Sequence, residues 1–430
     1  MNPAERNKII SLINQEVIPA IGCTEPIAVA LCVSKAAETL GSIPERIEVR
    51  LSANVLKNAM GVGIPGTGMI GLPIAIALGA ICGKSDYNLE VLKDLTPADV
   101  EEGRKWIEQE KIHIALKKDI SEKLYIEAVC FSGEDKAVVI IAGGHTHYAY
   151  IARNEEILLI APPDEGENQS RDNEILCLSM RKVYDFAMET PVDEIKFILE
   201  AGRMNKAAAE KSFIGDYGHN LGRILLGDTE RKIIGDNTFA HILSYTSAAC
   251  DARMAGAMIP VMTNSGSGNQ GISATLPVMI YAEENEKTEE ELIRALTLSN
   301  LLVIYIKQSL GRLSALCGCV VAATGSSCGI TYLMGGCYEQ ICYAVKNMIA
   351  NLTGMICDGA KPSCAMKVTS GASTAVLSAM LAMEQKCVTS VEGIIDEDVD
   401  QCIRNLTDIG ARGMCQTDEL VLDIMINKKN

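Results

Sequence analysis

Strand-like sequence is confined to one window of this 430-residue chain, and that confinement constrains the fold more than any other feature. Between Arg46 and Ala161 the runs IEVRLSANV, KIHIALKK, LYIEAVCF, AVVIIAGG, HYAYIA and EILLIA follow one another with the alternating or short apolar patterns of strands. SGED, GGHT and RNEE between them are turn signals, and a helical piece over 97–110 separates the first run from the others. The expectation is an antiparallel sheet inside an α+β unit spanning 45–165, with a polar, acidic exit linker at 162–172.

On either side the texture is helical. Residues 4–40 read as two helices broken at GCTEP, with Pro26 in the first turn of the second. Apolar residues recur at helical spacing over 174–188, 192–210, 239–257, 289–310, 312–324, 337–353, 371–385 and 397–409. Small residues crowd these segments, which favours closely packed helices around a site. The N-terminal pair is expected to join them. The fold class is therefore α+β: a discontinuous, mainly helical domain over 1–44 and 166–430 that carries the sheet unit, 45–165, as an insertion.

Composition excludes several functions. Hydrophobic residues make up 48% and charged residues 22%, a globular balance with core to spare. A formal charge of -16 argues against nucleic acid as a partner, since phosphate binding needs clustered Lys and Arg. Residues 64–82 come nearest to a membrane span, but Pro65, Pro73 and interspersed glycines point to a buried helix entered through a loop. No membrane partner is expected. The N-terminal stretch carries charges inside its apolar periodicity and does not read as a signal peptide. A cytoplasmic, reducing setting is the expectation, and in it the 16 cysteines are structural, catalytic or metal-bound.

Four cysteines stand apart. Cys317, Cys357 and Cys364 lie in the Gly-rich apolar stretches LSALCGCVVAATGSSCGI and MICDGAKPSCAMK, and Cys23 precedes a helix in IGCTEPIAVAL. Thiolates in small-residue surroundings, without paired CxxC knuckles, suit an iron–sulfur centre better than a lone zinc ion. Cys32, Cys82, Cys130, Cys177, Cys250, Cys337, Cys342, Cys387 and Cys402 read as small hydrophobes, and Cys319 and Cys328 as small-residue positions of a tight helix.

Four further places look chemical. TNSGSGNQGI, 263–272, gathers Asn264, Ser265, Gly266, Ser267, Asn269 and Gln270, whose backbone N–H groups and polar side chains suit a carboxylate. Asn54, Lys57 and Asn58 follow the first strand, where Lys57 reads equally as a carboxylate clamp, a proton carrier or a solvated loop lysine. His145 ends a strand, and Asp251 with Arg253 forms either a local pair or a substrate clamp.

GCTEP at 22–26, NVLKN at 54–58, PGTGMIGLP at 65–73, GGHT at 143–146, DARMAGA at 251–257, TNSGSGNQGI, RLSALC at 312–317 and GMICDGAKPSCAMK at 354–367 together resemble the L-cysteine desulfidase family. The resemblance covers nearly the whole chain, and that family is related to the α part of iron–sulfur L-serine dehydratases. It implies a 4Fe-4S cluster with one open iron, held by Cys23, Cys317 and Cys357, with Cys364 a rival for the third position. It also implies β-elimination of L-cysteine to hydrogen sulfide, ammonia and pyruvate, without pyridoxal phosphate. The amino-acid substrate would meet Asn54, Asn58, Arg253 and the Asn264–Asn269 loop, with Lys57 or His145 as acid–base groups. An L-serine dehydratase and a non-catalytic, redox-sensing or amino-acid-binding iron–sulfur protein stay open as alternatives, and so does a homodimer.

Overall fold

The computed structural model describes residues 1–118, 120, 122–161, 177–229, 231–311 and 314–428, and the expected exit linker at 162–172 lies outside them. α1 (Pro3–Glu16) opens the chain, with the Asn2 side chain accepting from the Glu5 N–H at 2.8 Å. β1 (Pro19–Ile21) leads into α2 (Thr24–Leu40), which ends at Gly41 in the left-handed conformation. β2 (Arg46–Leu51), α3 (Ala53–Ala59), the small hairpin β3 (Gly63–Ile64) and β4 (Met69–Ile70), α4 (Leu72–Ile81) and α5 (Pro97–Glu108) follow. Then come β5 (Ile112–Leu116), β6 (Tyr125–Ser132), β7 (Asp135–Ala142), β8 (Tyr148–Arg153) and β9 (Glu156–Ile160).

These strands form one six-stranded sheet in the order β5-β2-β6-β7-β8-β9. It is mixed, which corrects the antiparallel expectation: β5 runs parallel to β2, while the other pairs are antiparallel. The cause is the connection, because a chain that leaves β2 and returns through helices re-enters in the same direction. One face is apolar. Ile47, Val49, Ile126, Ala128, Val139 and Ile141 pack there with residues of α2 and α4. Each Ile or Val among them contributes about 1.5–3 kcal/mol of burial. On the opposite face Glu127 accepts from Lys117 at 2.7 Å and from the Tyr125 hydroxyl at 2.8 Å, and it pairs with Arg50.

α2 departs from expectation. Only α1 joins the helical core, through Ile9 and Ile13, whereas α2 lies on the sheet. Its sequence explains this: Ile27 to Val33 are all buried, and a helix apolar on every side needs cover from both a sheet and α4.

The remaining chain is α6 (Met180–Glu189), α7 (Val192–Ile195), α8 (Leu199–Phe213), α9 (Leu221–Leu225), α10 (Arg231–Ile234), α11 (Thr238–Met254), β10 (Pro260–Met262), α12 (Gly268–Glu284), α13 (Glu289–Leu310), α14 (Gly318–Leu333), α15 (Tyr338–Leu352), α16 (Cys364–Met383), α17 (Val399–Asp408) and α18 (Cys415–Ile426). α14 is the hub and touches α12, α13, α15 and α16. Its hydroxyls are buried without loss, since Thr324 donates to the Val320 carbonyl at 2.9 Å and Ser327 to that of Ala375 at 2.9 Å. The helix expected over 312–324 begins instead at Gly318, because Cys317 takes the extended cap conformation. Neither α12 nor α18 was expected. α12 stays helical through Pro277 because α11, α13 and α14 pack around it. Segment 64–82 is a turn leading into buried α4, and no helix among the described residues is long and apolar enough to cross a membrane.

Candidate active site

Two short pieces of backbone pairing bring distant cysteines to one place. β1 pairs antiparallel with β10, which fixes Cys23, the N-cap of α2, beside the 263–267 turn. Leu316 bridges Ile356, with the Cys317 N–H donating to the Met355 carbonyl at 2.9 Å and the Cys357 N–H to that of Ala315 at 2.6 Å. The Cys317 and Cys357 loops therefore run side by side. Cys364 opens α16 in the next turn. That turn rests on α3: Gly359, at φ +87, has a Cβ position 2.2 Å from the Lys57 carbonyl oxygen, so no larger residue fits.

Cys23, Cys317, Cys357 and Cys364 line one cavity of about 570 Å³. α2, α12, α14 and α16 all begin at its wall, and their free N–H groups and dipoles favour negative charge there. Cys317 responds most. A hydrogen bond from the Cys319 thiol at 3.4 Å, helped by the charges of Lys367 and Lys361, pulls it down to about 7 against the effect of burial. Cys319 moves the other way, because it gives that bond and is buried beside the resulting charge. Burial pushes Cys23 well up, aided by the adjacent Glu25 carboxylate, to which its thiol donates at 2.9 Å. Burial also raises Cys357 and Cys364.

Glu25 is held low although burial works to raise it, because the charge of His145 and the Cys23 hydrogen bond outweigh that penalty. Asn58 completes its coordination, donating to Oε1 at 3.1 Å. Lys57 is not a loop residue: it sits in the last turn of α3, is 3% exposed, and pairs with Asp418 of α18. Arg253, in the last turn of α11, donates from Nη1 to Asn269 Oδ1 at 3.1 Å. Asp251 turns away from it and accepts from the His219 and Gly222 N–H groups at 3.3 and 3.2 Å, so the local pair does not form.

The family described as serine dehydratase alpha chain matches residues 86–423 of this sequence. The chain belongs to that family. It is also 72% identical over 428 residues to a UPF0597 protein of Bacteroides fragilis, covering 100% of both chains. A UPF0597 protein of Bacteroides thetaiotaomicron is 70% identical over 428 residues, covering 100% of this chain and 99% of the relative. One from Oleidesulfovibrio alaskensis is 44% identical over 425 residues, covering 99% of each. Family membership places the chain among serine-dehydratase-like lyases.

For this serine dehydratase alpha-chain relative, the cavity gathers Asn54, Lys57, Asn58, His145, Arg253, Ser265, Gly266, Ser267 and Asn269. Asn264 is excluded, which corrects its place among the substrate contacts: it is fully buried, and its amide donates to the Asn300 carbonyl and side chain at 3.1 and 3.0 Å. Gln270 of the 263–272 loop lines the wall as well, whereas sequence reasoning missed Lys367 and passed over Cys319, which lines it too. Cys250, read as a plain hydrophobe, packs in the same cluster as Cys23 and Cys319. Nothing in its helical pattern distinguishes it. Among the described residues, no three His, Cys, Asp or Glu side chains are gathered tightly enough to hold a single metal ion. The soft donors that line the cavity are the thiols of Cys23, Cys317, Cys319, Cys357 and Cys364.

Proposed function

We propose that this chain is an iron–sulfur L-cysteine desulfidase, eliminating the β-thiol of L-cysteine to give hydrogen sulfide, ammonia and pyruvate. The observation that carries this reading is the convergence on one cavity of Cys23, Cys317, Cys357 and Cys364, three of them at helix starts, with the buried cation Arg253 beside them. The donor set fits a 4Fe-4S cluster: soft thiolates, a local field that favours anions, and no hard carboxylate among the proposed ligands. Cys23, Cys317 and Cys357 would hold it, with Cys364 the rival third ligand. Bound there with one open iron, the cluster supplies a Lewis acid for the departing sulfur.

The chain's own residues do the rest. The Arg253 guanidinium and the Ser265–Ser267 turn at the start of α12 bind the substrate carboxylate. Lys57 is tied to Asp418, which leaves its charge beside Cys357 and its nitrogen committed. The Cα proton therefore falls to an imidazole nitrogen of His145, whose charge, once formed, the Glu25 carboxylate in the same cavity stabilises. The C–H electrons form the Cα–Cβ double bond as the C–S pair leaves with sulfur. The aminoacrylate released tautomerises to an imine, and water hydrolyses it to pyruvate and ammonia.

The family description favours a second reading, in which the same site eliminates the hydroxyl of L-serine. Anaerobically prepared protein tests both. The expected result is a brown protein with about four irons per chain that releases sulfide from L-cysteine faster than pyruvate from L-serine. A colourless, fully active enzyme overturns the iron–sulfur reading, and a preference for L-serine overturns the substrate.

A further inference from the structure

In α16 the sequence and the surroundings disagree. From Val368 to Met383 the helix carries no charged residue, the mark of a helix enclosed on every side. α11, α14 and α15 pack against it, yet one side stays open. Met366, Leu377 and Met380 are each 51% exposed and Leu381 49%, and Ser370 is exposed with them. A helix that meets only water looks different: α5 turns Glu101, Glu102, Arg104 and Lys105 outward.

The open residues form a seam. Met366, Ser370, Ser373, Leu377 and Met380 follow one another at intervals of four, three, four and three residues, the spacing with which one helix lies along another. The apolar rim continues on α9, where Leu225 packs with Ala372 and Val376 and Ile224 beside it is 47% exposed.

The chemistry of the seam selects its partner. A molecule with a formal charge of -16 meets a like-charged one most readily where neither presents charge. A basic partner would find nothing here to pair with. The order of sizes is also self-complementary. In an antiparallel pair with its two-fold axis at the level of Ala375, Leu377 lies against Ser373 of the partner subunit and Met380 against Ser370 of the partner subunit. Large side chains then fill the space left by small ones. A parallel pair would set leucine on leucine and serine on serine, with gaps between.

We propose that α16 is the two-fold interface of a homodimer, crossing its copy antiparallel with Met366, Leu377, Met380 and Leu381 as the apolar contacts. The seam starts two residues beyond Cys364, which brings the partner subunit to the edge of the cavity wall. The proposal stands apart from the lyase reading.

Sedimentation velocity of the full chain at micromolar concentration is expected to give twice the chain mass. Leu377→Glu, which puts an unpaired charge inside the seam, should weaken the dimer at least about 100-fold. Leu420→Glu, at a similarly exposed leucine of α18, should leave it intact. Ser373→Lys should weaken it too, and mixing the two seam variants should recover dimers, because the antiparallel arrangement sets position 373 of one chain against position 377 of the other. Without any substitution, brief oxidation of the native protein should modify Met258, 53% exposed, several times faster than Met366 and Met380. A single-chain mass, a dimer unmoved by Leu377→Glu, or Met366 and Met380 oxidised as fast as Met258 overturns the proposal, and variants that fail to recover on mixing overturn its antiparallel form. The mass and oxidation measurements use the unaltered chain, so a misfolded variant does not blunt them.

Discussion

Cys32 and Cys317 are both enclosed, yet their sulfurs are poised oppositely. Cys32 lies between α2 and the sheet, where its thiol donates to the Val139 carbonyl at 3.3 Å, and burial pushes it far up. Cys328 repeats this in the helical core, facing the Ile341 carbonyl at 3.8 Å. Cys317 caps a helix, receives a hydrogen bond and faces lysines, so its thiolate forms easily. Burial does not separate the two kinds of cysteine. What separates Cys32 from Cys317 is whether the sulfur meets carbonyl oxygens or hydrogen-bond donors and lysine charge; Cys23, Cys357 and Cys364, which burial raises, share the cavity with Cys317 but not this poise.

The sharpest way to break this contrast is substitution. Cys317→Ala is expected to abolish both iron binding and sulfide release, while Cys328→Ala leaves both unchanged. Cys357→Ala and Cys364→Ala extend the comparison, since the variant that keeps its iron identifies the cysteine outside the cluster. Alkylation of the iron-free protein comes next. Because the Cys319 hydrogen bond and the nearby lysines hold Cys317 below the ordinary thiol range, its iodoacetamide rate should level off at a lower pH than that of a free thiol and fall about tenfold per unit below that plateau. Cys32, read by peptide mapping, should stay unmodified until the chain unfolds. Equal reactivity of the two would dissolve the distinction.

Smaller effects sharpen the picture. Asp418→Asn removes the partner of Lys57, the cation beside Cys357. Thermal or denaturant unfolding should show a loss of roughly 1–3 kcal/mol, below that of a fully enclosed pair because the Asp418 side chain is 24% exposed. Cys328→Ala should cost about 1 kcal/mol with activity intact.

Much of the architecture was legible because it is local. The confined strands, the GCTEP break and the Gly-rich cysteine loops announce themselves in composition and period, and the α+β class follows from them. The direction of β5 does not, since it depends on how α3 to α5 carry the chain across the sheet. α12 was masked by Pro277, whose effect on a helix depends on neighbours far away in sequence. Lys57 could not be told from a solvated loop lysine because nothing near it foretells Asp418, 361 residues on. Lys367 was passed over for a similar reason, since its place on the cavity wall follows from the pairing of the Cys317 and Cys357 loops.

The meeting of four helix starts has one more consequence. A molecule with a formal charge of -16 surrounds a recess lined by amide hydrogens and Arg253, so the far field repels what the recess attracts. Small anions must climb an uphill approach, whereas an electrically neutral zwitterion feels almost none of it and meets the attraction only on arrival. The protein is in this sense a charge filter, in which the exterior decides who comes near and the interior decides who stays.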